Sequence, residues 1–207
     1  MIESYENALQ FAVALVCLCV SIGRAMRTRE RAWILLSAFY ACWTLGDLYW
    51  EIFLIFLHIT PPYFYVADFS WYASYLLLFI LLRQLLPPEA WRGRRLLPWI
   101  GPVFAAAMCG FYLQFGDVAS NLVCMALMGL LMYHAIRGLL FLRGAADRRQ
   151  TLLCAAVLVF CAMEYLTWTV SCFWKDDSLT NPYYLADTLL TLSFIPLLPG
   201  VGKAVRA

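Results

Sequence analysis

Charge is scarce in this chain: 14% of its 207 residues are Asp, Glu, Lys or Arg, against roughly 25% in a soluble globular domain. That deficit excludes the surface a protein of this size needs in water, and no stretch is long or polar enough to form a separate soluble domain. A net charge of +2, with the basic residues confined to the loops between apolar runs, is not the electrostatic footprint of a nucleic-acid binder. Cys-x-x-Cys spacing is missing among the eight cysteines, and most of them lie in apolar runs, where a thiol serves as a small hydrophobe. Neither His58 nor His134 has a partner at metal-ligand spacing. Gly-x-Ser-x-Gly, His-Glu-x-x-His and a phosphate-cradling glycine loop are all lacking, so no metal site, cofactor or catalytic residue is expected from motifs. The first ten residues carry Glu3 and Glu6 in place of a basic n-region, which reads as a retained anchor, not a cleaved signal.

What the chain has is apolar length. Hydrophobic residues make up 64% of it, and the mean hydropathy is +0.74. A helix needs about 20 apolar residues to cross a bilayer. Arginine clusters and proline pairs divide the sequence into seven such runs, at about 7–23, 32–57, 67–86, 96–115, 118–142, 151–174 and 183–201. The expected fold is all-α: a polytopic membrane protein, one transmembrane domain of seven helices spanning 1–207. Cytoplasmic loops carry an excess of Lys and Arg. With the N-terminus outside and the C-terminus in the cytoplasm, every one of the 15 basic residues except Lys175 falls at or beside a cytoplasmic end. The expected location is a cell membrane.

Two stretches repeat. Pro62-Tyr63-Phe64-Tyr65-Val66-Ala67-Asp68 matches Pro182-Tyr183-Tyr184-Leu185-Ala186-Asp187 when one residue is skipped. Upstream, Asp47 and Glu164 each follow an arginine cluster, and each precedes a Tyr and a Trp: Tyr49 and Trp50, Tyr165 and Trp168. The pattern predicts a parallel 3+1+3 repeat, with copies at about 7–86 and 118–201 and a linker helix at about 96–115.

Five carboxylates stand in or at the ends of spans: Asp47, Glu51, Asp68, Glu164 and Asp187. An ionisable group inside a membrane is costly and points to a functional site. At the helical rise per residue, Asp47 is roughly 24 Å beyond Arg31 and Glu164 roughly 22 Å beyond Arg149, in the outer half of the bilayer. Glu51 is one turn beyond Asp47 on the same face. Asp68 and Asp187 open helices 3 and 7 at the outer surface. No Lys or Arg stands at this depth, and Lys175, in the loop, is the only candidate countercharge, so the group is expected to hold protons or a cation. The expectation is an outward-facing acidic pocket walled by aromatics: Trp43, Tyr49, Trp50, Trp71, Tyr72, Tyr75 and Trp168. Other readings stand beside it. Asp68 and Asp187 suit helix N-caps. The tyrosines suit an interfacial belt, and Glu51 suits the headgroup region. Gly110, Gly129 and Gly138 suit close helix contacts.

The stretch 43–82 resembles a segment of the multi-helix bacterial membrane sensor regions that precede diguanylate cyclase domains. Gly46, Asp47 and Trp50 match its Gly-Asp-x-x-Trp element, and Ala67 and Asp68 match its Pro-x-x-Ala-Asp turn. No output domain follows helix 7, so this resemblance implies a receptor signalling through a partner, or a solute carrier. The 3+1+3 layout is similar to SWEET and PQ-loop carriers, without their Pro-Gln pair. Leu45-Gly46-Asp47 resembles the lysoplasmalogenase family, which implies Asp47 and Glu164 as paired carboxylates that activate a water. The leading expectation is a transporter of a small polar or cationic solute. A sensor acting through a partner protein or a homo-oligomer, and an intramembrane lysolipid hydrolase, are the alternatives.

Overall fold

The computed structural model describes residues 2–59, 66–92, 95–143, 148–176, 178 and 180–205. Among these the chain is helical, with no strand. The α-helices are α1 (Ile2–Thr28), α2 (Arg31–Ile52), α3 (Val66–Leu85), α4 (Ile100–Tyr112), α5 (Val118–Leu142), α6 (Thr151–Phe173), α7 (Pro182–Ser193) and α8 (Leu197–Ala204). They supply seven segments long and apolar enough to cross a membrane, the last of them running from Pro182 to Ala204 through α7 and α8 together. Large apolar side chains such as Val16, Ile34, Leu45, Phe69, Val103 and Leu192 point outward. An apolar exterior of this extent requires lipid around it. This is a multi-pass membrane protein in a bilayer.

Local chemistry sets the helix ends. Arg29 takes the left-handed conformation (φ 56°) that closes α1. The Asp117 side chain accepts from the Ser120 N–H and starts α5. Asn181 caps α7 through the Tyr183 N–H, with Pro182 at the first helical position. The cap of α7 is therefore Asn181, and Asp187 stands inside the helix, buried. Asp68 lies in the first turn of α3, where a negative charge suits the helix dipole. Residues 60–65, which include most of the first copy of the repeated turn, lie outside the described residues.

Two boundaries differ from expectation in ways that matter. Helix 1 reaches back to Ile2, which draws Glu3, Glu6 and Gln10 into the bundle. Helix 7 is broken at residues 194–196. Pro196 has no N–H to continue the ladder, and the Tyr40 hydroxyl donates a 2.7 Å bond to the Phe194 carbonyl at the break.

The packing order is α1 on α2, α2 on α3, α3 on α5, α5 on α6, α6 on α7 and α7 back on α1. The fourth span sits on α5, outside this order, and reaches α6 through Tyr112. Small residues set the close approaches. Ser21 and Ser37 hydrogen-bond between α1 and α2 at 3.0 Å. A Cβ on Gly101 of α4 would stand 2.7 Å from Met132 Cβ of α5, and one on Gly129 would stand 3.3 Å from Pro102 Cα. Gly138 is equally close to Cys154 and Leu86, whereas Gly110 faces open space and marks no contact.

Candidate functional site

Asp47 projects from α2 toward the bundle centre, one turn beyond Trp43 and one turn before Glu51. Its side chain is 1% exposed. The Trp71 indole Nε1–H points at Asp47 Oδ1 from 3.4 Å. Trp71 gets there because α2 has a glycine next to Asp47: a Cβ at Gly46 would stand 2.6 Å from Trp71 Nε1. The other oxygen, Oδ2, is buried without a donor.

Glu164, on α6 and 2% exposed, accepts a 2.8 Å bond from the Tyr75 hydroxyl of α3. Asp187 on α7 accepts from Gln10 Nε2 of α1 at 2.9 Å, and the same amide reaches Thr191 Oγ1 at 3.2 Å. The Gln10 carbonyl in turn accepts from Trp43 Nε1 at 3.4 Å. Glu6, one turn before Gln10, is 8% exposed and faces Asp187 and Asp47; neither of its oxygens meets a donor. Four helices thus contribute a buried carboxyl each: Glu6, Asp47, Glu164 and Asp187. The charged groups that act on them are other carboxylates. No three of the acidic, histidine and cysteine side chains among the described residues are arranged to hold a metal ion.

The floor of this cluster is aromatic. Trp43 of α2 and Phe160 of α6 meet at 5.6 Å. Trp43 also touches Tyr75 (5.9 Å) and Phe194 (4.8 Å), while Phe160 touches Phe194 (6.1 Å) and Tyr75 (6.0 Å). Trp50 continues the stack on the other side of Trp71, at 5.8 Å.

The remaining expected residues stand elsewhere. Glu51 is buried between α1 and α2, where Ser4 donates to it at 3.2 Å. Tyr72 points away from Trp71 and Tyr75 toward α5, where its hydroxyl bonds Ser120. Asp68 is half-buried beside Tyr72 and Cys124, on that same seam. Trp168 packs on Tyr112 and Tyr165 beneath α4, against a crevice with no room for a water molecule. Of the expected site residues, Asp47, Glu164, Asp187, Trp71 and Trp50 come together, with Glu51 adjoining Asp47. Asp68, Tyr72 and Trp168 do not join them.

Reading the sequence missed Glu6 and Gln10. Their signal is periodicity: Glu6, Gln10, Ala14, Cys17 and Ser21 form one buried stripe at helical spacing along α1.

No protein family, curated protein or solved structure matches this chain.

Proposed function

We propose that this membrane protein is a carrier that binds a small polar or cationic solute at the Glu6–Asp47–Glu164–Asp187 cluster. The observation that carries the reading is the set of enclosed carboxyls, drawn from four helices and facing no basic side chain among the described residues. Each carboxylate held in lipid without a countercharge costs several kcal/mol on the order of the insertion scales. A chain retains four such groups in one place when it uses them.

A two-half architecture supports the carrier reading. In the 3+1+3 repeat, α1, α2 and α3 correspond to α5, α6 and α7. The packing comes in matching pairs: α1–α2 with α5–α6, α2–α3 with α6–α7, and α3–α5 with α7–α1. The aromatic floor is paired the same way. Trp43 corresponds to Phe160 and Tyr75 to Phe194, so Trp43–Tyr75 mirrors Phe160–Phe194, and Trp43–Phe194 mirrors Phe160–Tyr75. The site then lies between halves that rock about an axis through the Trp43–Phe160 contact, as in carriers built from parallel repeats. The broken α7–α8 segment beside the site fits the same design, since interrupted helices mark transporter sites. The arginine-rich ends face the cytoplasm in this reading, with the N-terminus outside.

The test is uptake of labelled cations, amines and sugars into vesicles reconstituted with wild type and with Asp47→Asn and Glu164→Gln. Uptake by wild type alone supports the carrier. Binding without uptake turns the same site into a receptor that signals through a partner. Turnover of lysolipid lost in Asp47→Asn turns it into a hydrolase.

A further inference from the structure

We propose that Glu6 and Asp187 hold one proton between them across the α1–α7 seam, so that the proton is the ion bound at this site and its release opens the seam. The inference rests on the carrier reading above for its purpose, but not for its observations.

Glu6 is buried, and both its oxygens lack a hydrogen-bond donor. What they face is the Asp187 carboxyl, on a helix that touches α1 through this neighbourhood. Two carboxylates have only acceptor oxygens. Set against one another inside a membrane they repel, and one added proton turns the repulsion into a short charge-assisted hydrogen bond. Asp187 already takes one N–H from Gln10. Gln10 is itself fixed by Trp43 and Thr191, so Asp187 is oriented while Glu6 is the partner left open.

Among the described residues, the titratable groups around the pair are acidic. Glu3 of α1, Asp47 of α2 and Glu164 of α6 act on the pair, and Glu51 of α2 adjoins Asp47. The basic residues of the adjoining helices, Arg24, Arg27, Arg31 and Lys203, are at the opposite ends of those helices. No metal-ligand arrangement exists among the described residues. A proton needs neither a cavity nor a coordination shell, which suits a packed site.

Losing that proton would be felt at the α1–α7 seam. The polar contacts of α7 with α1 include Asp187 and Thr191 on Gln10, with Glu6 beside them. Immediately beyond Thr191 comes the break at 194–196. With the proton bound, α7 is tied to the first half of the chain. Without it, two like charges face each other across the seam, and α7 can part from α1 at the broken segment.

The experiment uses the purified full chain in detergent, with the proton as the probe. The melting temperature is followed from acidic to alkaline pH in choline, sodium and potassium buffers. The expected wild-type result is a melting temperature that falls as pH rises, equally in all three salts. Glu6→Gln puts an amide N–H against Asp187 in place of the shared proton, and Asp187→Asn does so from the other side; each should flatten the profile. Glu30→Gln, exposed at the far end of α1 and α2, should keep the slope. If neither pair variant folds, infrared spectroscopy of wild type replaces them. A protonated carboxyl band that disappears over the same pH range supports the shared proton. A flat wild-type profile, an unchanged slope in both pair variants, a missing carboxyl band, or stability that follows sodium or potassium and not pH overturns it. None of these readings needs flux. A protein with the slope but no uptake sinks the carrier alone, and one with uptake but no slope sinks the shared proton alone.

Discussion

The Tyr75 hydroxyl donates a 2.8 Å hydrogen bond to Glu164 Oε1, joining α3 to α6 across the middle of the bundle. Both side chains are buried, so water cannot replace either partner. Tyr75→Phe keeps the ring, with its contacts to Trp43 and Phe160, and removes only the donor. Polar contacts between membrane helices are worth about 1 kcal/mol, and this is the expected loss of stability. Unfolding in mixed detergent checks it. A double mutant with Glu164→Leu, which has no acceptor for the hydroxyl, should cost less than the two changes added together, because both remove the same bond.

A larger effect is expected at Gly46. A methyl group there would stand 2.6 Å from Trp71 Nε1, well inside contact distance. Gly46→Ala must push the indole off α2 and with it the N–H that points at Asp47. Overpacking of this kind costs about 1–3 kcal/mol. The tryptophan emission should shift as Trp71 loses its packing against Trp43 and Trp50. Unaltered emission with unaltered stability would show that Trp71 has room to move.

How much of this was legible in the sequence follows from the kind of signal each residue gives. The fifth helix, expected at about 118–142, runs Val118–Leu142, since its apolar run is free of interruption and the structure shows Asp117 capping it. Asp47 and Glu164 stand out because acids in apolar runs have no other excuse. Glu6 does not, since an acid near a chain start reads as solvated; only the stripe that it shares with Gln10, Ala14 and Cys17 betrays it. Asp68 and Asp187 look alike in sequence, each following Tyr and Ala in a turn into a helix. They differ in fate because α7 docks on α1 beside Glu6 and Gln10, whereas α3 turns Asp68 toward α5. Which neighbour a helix meets is a tertiary fact that periodicity does not carry. The same holds for Tyr72, which shares a helix with Trp71 and Tyr75 but bonds Ser120 instead.

At the arginine-rich end, Arg137 should behave as a clamp. It is buried in α5, and its guanidinium donates to the Ala90 carbonyl at 2.8 Å, the Arg92 carbonyl at 3.0 Å and the Tyr133 hydroxyl at 2.9 Å. These bonds hold the short turn Pro88–Trp91, whose Trp91 ring also carries the Arg83 guanidinium at 4.6 Å. Arg137→Ala leaves two carbonyls without their donor and should cost about 2–3 kcal/mol. Arg137→Lys should recover little, because a lysine cannot span two carbonyls as the planar fork does. Limited proteolysis reads the outcome directly: cleavage near residues 88–92 should rise in both variants and stay low in wild type.

The break in the seventh span offers the last test. The Tyr40 hydroxyl meets the Phe194 carbonyl at 2.7 Å, while the Leu197 N–H reaches the same oxygen at a longer 3.2 Å. The Leu198 N–H goes to the Ile195 carbonyl, so the Phe194 carbonyl loses its regular donor four residues on, and in lipid such a carbonyl must be satisfied from within the protein. Tyr40 supplies that from α2, so it ties the joint between α7 and α8 to the first three helices. Tyr40→Phe keeps the ring's edge-to-face contacts with Phe39 and Phe194 and deletes the bond. The expected loss of stability is about 1 kcal/mol. The more telling readout is local: amide hydrogen exchange should quicken at 194–198 and remain unchanged along α5, which has no contact with Tyr40 in this network. Exchange that stays slow at 194–198 would mean that the Leu197 N–H alone secures the carbonyl. In that case the joint is held by Pro196 and the aromatic packing, and α2 has no part in its opening.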